Sequence, residues 1–223
     1  MRIFQADRFG VVQTKPNGNL LLRGNIPLDQ QNQFAYAEIQ ACLPTVDLDR
    51  GSLLDVCLID NVGERYMWEP EMKSFGVDVN KYPPTYWPPW TQEGWVPGAM
   101  LGTSTLTSHG KLHHGSTVWW PIEAPGENED PKPYLHSPGW DLDGLVTKLI
   151  GWLETSEAPR AIYVHCTLGA DRTGAVIAAY LIKTQGLTAA QAIEAVTQGT
   201  PSKVAPSPAY QRLILEYGIH CRT

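Results

Sequence analysis

The sequence predicts an α/β fold, a sheet with helices packed on both faces. Three observations carry that expectation. Short β-branched or apolar runs alternate with segments of helical period along most of the chain. One of these runs, "RAIYVH", leads straight into a glycine-bearing loop and then into "TGAVIAAYLIKTQG", a helix apolar nearly all round. The length, 223 residues, and the apolar fraction, 43%, suffice for one large buried core.

The elements follow in order. "FGVVQTKPNGNLLLRG" reads as two strands around an Asn17-Gly18 turn, a strong hairpin signal. "LDQQNQFAYAEIQACL" is expected to be a helix, with Phe34, Ala37, Ile39 and Ala41 set among polar residues. "SLLDVCLID" is a compact apolar run suited to a buried strand. "WEPEMKSFGVDVNKYP" reads as a short helix, a stop at Gly76 and another strand. Between about 83 and 116 the period is lost in a stretch rich in Pro, Gly and Trp, expected to be an insertion. Its Trp87, Trp90 and Trp95 would either fold back as a lid or cover the core. "STVWWPIEA" resumes as a strand. In "GWDLDGLVTKLIGWLE", Leu142, Leu145, Val146, Leu149, Trp152 and Leu153 then keep helical spacing. Gly186 ends the apolar helix, Thr188 and Gln191 form a capping box for the next, and Ser207-Pro208 opens the last.

Composition narrows the function. A formal charge of −6 argues against nucleic acid or an anionic membrane surface as partner. No run approaches the roughly 18 apolar residues of a membrane span, and the N-terminus lacks the apolar core of a signal peptide, so no integral membrane association and a cytoplasmic location are expected. Cys42, Cys57, Cys166 and Cys221 lie far apart without a CxxC pair, which gives no support to a zinc site or a disulfide framework. His109, His113 and His114 have no carboxylate or cysteine at ligand spacing and read as loop residues.

The chemistry concentrates in "YVHCTLGADRTGAV", residues 163–176. Cys166 would end a strand and Arg172 would stand in the first turn of a helix. The backbone N–H groups of Thr167, Leu168, Gly169, Ala170, Asp171 and Arg172 then curl into a nest for a tetrahedral oxyanion, backed by the helix dipole. Gly169 lets the backbone turn without an obstructing Cβ. Arg172 closes the cradle with two parallel N–H bonds. The same field lowers the pKa of the Cys166 thiol, placing a thiolate beneath the anion it would attack. Thr173 can donate its hydroxyl to the sulfur when it leaves, and His165 orients the loop.

"HCTLGADRTG" resembles the signature loop of the cysteine-dependent protein tyrosine and dual-specificity phosphatases. "NLLLRGNIP" and "AYLIKTQGLTAAQAIEAV" are similar to segments of their compact members, so the resemblance covers most of the chain outside the Trp-rich stretch. It implies one phosphatase domain over residues 1–223, with a sheet of four or five largely parallel strands and neither metal nor cofactor. It implies hydrolysis of a phosphomonoester through a cysteinyl-phosphate, and a carboxylic acid upstream of the cysteine to protonate the leaving oxygen. Asp130 stands at the implied distance and is the first choice. Glu123, just past Trp120-Pro121-Ile122, is the alternative, with Glu127 and Glu129 behind it. Asp171 departs from the plain tyrosine-phosphatase pattern and could fix Arg172, position water or cap its helix. "LDVCLID" resembles the strand of the phosphatase-and-tensin type whose cysteine pairs with the nucleophile, which implies Cys57 as a redox partner of Cys166; a buried structural thiol is the other, preferred reading of Cys57. The loop carries no lysine for additional phosphates, favouring phosphotyrosine or dual-specificity protein substrates. A phosphoinositide or other small phosphoester remains the alternative substrate. A phosphate-binding module without turnover and a thiol redox sensor are the alternative functions.

Overall fold

A hairpin opens the chain. β1 (Gly10–Thr14) and β2 (Leu20–Gly24) pair antiparallel around a turn whose Gly18 takes φ +85°, the left-handed region that Asn-Gly turns favour. The computed structural model describes residues 3–60, 63–82, 100–136, 141–154 and 159–222. In it β2 joins a seven-stranded sheet of order β1-β2-β7-β3-β6-β4, with β5 paired to β6. The centre is parallel: β2, β7 (Arg160–His165), β3 (Ser52–Cys57) and β6 (Lys111–Trp119) run the same way. The short strands β1, β4 (Met100–Leu101) and β5 (Thr105–Ser108) are antiparallel additions to this four-stranded core.

Alternate side chains of the central strands leave to opposite faces. Leu54, Val56, Ile162 and Val164 pack in one core with α4 (Leu142–Glu154), α5 (Asp171–Gln185), α6 (Ala189–Gln198) and α7 (Pro208–His220). Leu53, Cys57, Ala161 and Tyr163 pack in the other with α1 (Tyr36–Ala41) and α2 (Arg65–Ser74). α4 shows the sequence logic directly: Leu142, Leu145, Val146, Leu149 and Leu153 are buried on one face, each contributing about 1.5–3 kcal/mol. Gly186 closes α5 with φ +66°, and Thr188 and Gln191 form the reciprocal capping box of α6. α3 (Pro133–His136) is a single turn before α4. Among the described residues, no helix is long and apolar enough to cross a membrane.

Three expectations need correction. The helix expected over 28–43 is formed only at Tyr36–Ala41. The Asp29 carboxylate accepts the backbone N–H groups of Gln31 and Gln33 and holds that stretch in a turn, with Asn32 at φ +59°. After Gly76 no strand follows; Asp78 caps a short 3₁₀ turn, Val79–Lys81, by accepting Asn80 N–H. The stretch expected to lack regular structure up to 116 holds β4, β5 and most of β6 instead. His109 and Gly110, at φ +49° and +73°, form the tight turn between β5 and β6, and His113 and His114 lie on β6 rather than in a loop. Residues 83–99, including Trp87, Trp90 and Trp95, lie outside the described residues.

Candidate active site

β7 lies between β2 and β3 in the parallel core, so its carboxyl end opens at the centre of the sheet, where ligand sites of such sheets form. Cys166 follows directly on β7, and Arg172 stands in the first turn of α5. Gly169 is the pivot between them. Its φ is +72°, and a Cβ there would lie 2.7 Å from the backbone C and O of Gly24. Arg23, 2% exposed, holds the loop from behind: Nη2 donates to Gly169 O at 2.7 Å and Nη1 to Val196 O at 2.5 Å. Burial lowers even this guanidinium, to about 10.

Within the loop Thr167 and Ala170 are buried, and Leu168, 37% exposed, forms the rim. Burial pushes the Cys166 thiol up. The charge of Arg172, the hydroxyl and N–H of Thr173 and the N–H of Leu168 outweigh it, and the net shift is downward. Cys166 and Thr173 thus meet as expected. Asp171 caps neither its own helix nor Arg172 by a hydrogen bond in the structure; its Oδ1 accepts Ser207 N–H at 2.6 Å, fastening the start of α7 to the start of α5.

Two residues that sequence reading missed complete the site. Glu64, immediately before α2, meets Arg172 end-on: Nη1 donates to Oε2 at 2.5 Å and Nη2 to Oε1 at 2.8 Å, while Nη1 also donates to Leu58 O at 3.1 Å. The Thr167 hydroxyl donates to the same carboxylate. Burial would raise the Glu64 pKa, but Arg172, Thr167 and the Asp60 N–H hold it below the usual carboxylate range. These bonds use three of the five guanidinium N–H groups. The Nε–H and the second Nη2–H remain, an adjacent side-on pair suited to two oxygens of a phosphate. The second missed residue is Tyr210, on α7, half-buried against the core with Arg172, Glu123 and Cys166 in electrostatic reach; burial raises its hydroxyl pKa. An acid before a helix and a tyrosine within one carry no local sign of such a role.

The two acid candidates part company. Glu123 is half-buried beside Arg172, Asp60 and Glu64; burial raises its carboxyl first, and Arg172 only partly offsets this. Asp130 is exposed, and its Oδ1 accepts the backbone N–H of Lys132 at 3.1 Å, a local turn bond that leaves it out of the cluster. Glu129 accepts the Tyr134 hydroxyl at 2.6 Å and Gly126 N–H at 2.8 Å, and Glu127 is likewise exposed. Cys57 pairs in register with His165, and both point to the α2 face, whereas Cys166 packs in the opposite core. Cys166 stands one residue past the end of β7, so strand alternation does not fix its side relative to Cys57, and all four thiols are free.

A thiol held low by a guanidinium and a hydroxyl, with a raised carboxyl near that guanidinium, can carry a phosphoryl group onto sulfur and off again. Residues 144–220 match the sequence model of the dual specificity phosphatase catalytic domain. The fold resembles that of kinase associated phosphatase carrying a serine substitution at its catalytic cysteine, with a TM-score of 0.51, 13% identity and 96% of each chain covered. Human DUSP28 matches with a TM-score of 0.47 and 16% identity, again over 96% of each chain.

Proposed function

We propose that this chain, a member of the cysteine-dependent phosphatase superfamily by the match of its residues 144–220, removes phosphate from tyrosine and other hydroxyl side chains of phosphorylated proteins. The observation that carries the reading is the lowered, buried thiol of Cys166 set against Arg172. The Cys166 thiolate attacks phosphorus while two of the three equatorial oxygens bind the side-on N–H pair of Arg172 and all three accept the loop N–H groups from Thr167 to Arg172. As the P–O bond breaks, Glu123 gives its proton to the departing oxygen. Water then attacks the cysteinyl-phosphate, Glu123 takes the water's proton, and the thiolate leaves toward the Thr173 hydroxyl. Glu123, and not Asp130, fills the acid role because its carboxyl is raised by burial within reach of the Arg172 charge.

Residues 1–223 act as one domain, and the reading carries with it a cytoplasmic location and no nucleic-acid partner. The loop offers one guanidinium and no lysine for a second phosphate, which favours a protein phosphoester over a polyphosphorylated inositol lipid. Turnover of a phosphotyrosine peptide and of a short-chain phosphoinositide, each with wild type and Cys166→Ser, tests it. Cysteine-dependent turnover preferring the peptide is expected. Preference for the lipid would move the substrate class, and phosphate-analogue binding without turnover of either would leave a binding module.

A further inference from the structure

Across the sheet from Cys166, a second polar cluster is sealed in the core. Asp55 and Cys57 of β3, Glu71 of α2 and His165 of β7 are all 0% exposed. His165 Nε2 lies 2.9 Å from Glu71 Oε1 and 3.0 Å from Asp55 Oδ1. Donor atoms of Cys57, Glu71 and His165 all fall within 4.8 Å of one another. Thr117 Oγ1 donates to the other oxygen of Asp55 at 2.7 Å.

The hydrogen bonding of this cluster does not close. The single Nε2–H is directed to Glu71, which leaves Asp55 Oδ1 without a hydrogen bond, and Glu71 Oε2 and His165 Nδ1 have none either. Buried acids facing one another in an apolar core cost several kcal/mol per ion unless a cation meets them. One imidazole between two carboxylates leaves Asp55 Oδ1 and Glu71 Oε2 as acceptors without a donor.

We propose that Cys57 Sγ, His165 Nε2 and a Glu71 carboxylate oxygen bind a Zn²⁺ ion, and that Asp55 Oδ1, 3.0 Å from His165 Nε2 and held by Thr117 at its other oxygen, turns in as the fourth ligand. A thiolate, an imidazole and two carboxylates form the mixed S/N/O set that zinc takes in tetrahedral sites, and they suit neither Ca²⁺ nor Mg²⁺. Zinc bonds of about 2.0–2.3 Å set tetrahedral donors about 3.3–3.7 Å apart, so the His165–carboxylate separations need to open by only a few tenths of an ångström. Binding releases the Cys57 thiol proton and takes His165 from imidazolium to neutral imidazole, the Nε2 proton leaving and Nδ1 keeping its own. The ion would tie α2, which carries Glu64 just before its first turn, to β3 and β7 directly behind the catalytic loop. It lies on the far face from Cys166 and takes no part in phosphoryl transfer.

The test uses the 223-residue chain carrying Cys166→Ser, which removes the catalytic thiolate as a competing ligand, expressed in zinc-supplemented medium and purified without chelator. Metal content by mass spectrometry should approach stoichiometric zinc. Refolding with Co²⁺ should give a thiolate-to-cobalt charge-transfer band. Adding Cys57→Ser should abolish that band, and adding Glu71→Gln should weaken zinc retention by about tenfold or more. Metal-free Cys166→Ser that folds, or equal zinc and an unchanged cobalt band after Cys57→Ser, would overturn the site. The first of these is read on the parent chain alone, so the proposal stays testable even where a variant fails to fold.

Discussion

In the proposed mechanism, activity depends on two opposite protonation states. Cys166 must be ionised, and its lowered pKa puts the rise of kcat/KM below the ordinary thiol range. Glu123 must be protonated, and its raised pKa puts the fall above the ordinary carboxylate range. The profile is therefore a bell, and Glu123→Gln should remove its falling limb and cut kcat on a phosphotyrosine peptide by about 10²–10⁴-fold. The loss should shrink on p-nitrophenyl phosphate, whose leaving group needs less protonation. An intact falling limb in that variant, with a flattened one in Asp130→Asn, would return the role to Asp130. Glu64→Ala removes the carboxylate that fixes Arg172 end-on, and kcat/KM should fall about ten- to a hundredfold, the worth of a charge-assisted hydrogen bond of roughly 1.5–3 kcal/mol. Orthovanadate should bind more weakly in parallel; tighter binding would make Glu64 a competitor for the cradle. At this scale the sequence reveals only what is local. Cys166, Arg172 and Thr173 lie within one turn and can be read from their spacing. Glu64 and Tyr210 reach the site from distant elements, and Asp130 holds the expected place along the chain while its side chain bonds its own turn.

At the level of elements, the strand–loop–helix unit stands on contacts to its neighbours. Gly169→Ala forces a Cβ to 2.7 Å from Gly24 backbone at φ +72°. It should cost at least about 2 kcal/mol, a fall of roughly 4–8 °C in Tm, and lower activity with it. Thermal melting and the rate on one substrate check both. Asp171→Ala separates stability from chemistry: it takes away the acceptor of Ser207 N–H, so Tm should fall by a few degrees, about 1–2 kcal/mol, while kcat keeps most of its value. A collapse of kcat with unchanged Tm would instead put Asp171 in the reaction. The helices with strong period or caps were legible, α4 from its leucine spacing and α6 from its capping box. The segment before α1 was misread because Asp29 draws backbone N–H groups to its side chain, and a composition-based reading cannot see which competitor wins. The β5–β6 hairpin was hidden behind proline- and tryptophan-rich sequence, though "TLTSHGKLHHG" does carry alternation and a turn.

Over the whole molecule, the parallel core β2-β7-β3-β6 decides where chemistry occurs, because it brings the end of β7 to the middle of the sheet and buries both of its faces. One face backs the catalytic loop, and the other encloses the Asp55, Cys57, Glu71 and His165 cluster. The alternation of strands and helices was enough to expect this architecture. It could not show that Cys57 stands opposite His165, since that follows from register between strands more than a hundred residues apart in the chain. The central claim is that phosphate passes through the Cys166 sulfur, and the most direct test is to trap it there. Enzyme quenched in acid during turnover of p-nitrophenyl phosphate should yield, by peptide mass spectrometry, one phosphate on the peptide containing Cys166 and none in Cys166→Ser. Sustained turnover with that peptide unmodified, or an adduct on another residue, would contradict the mechanism.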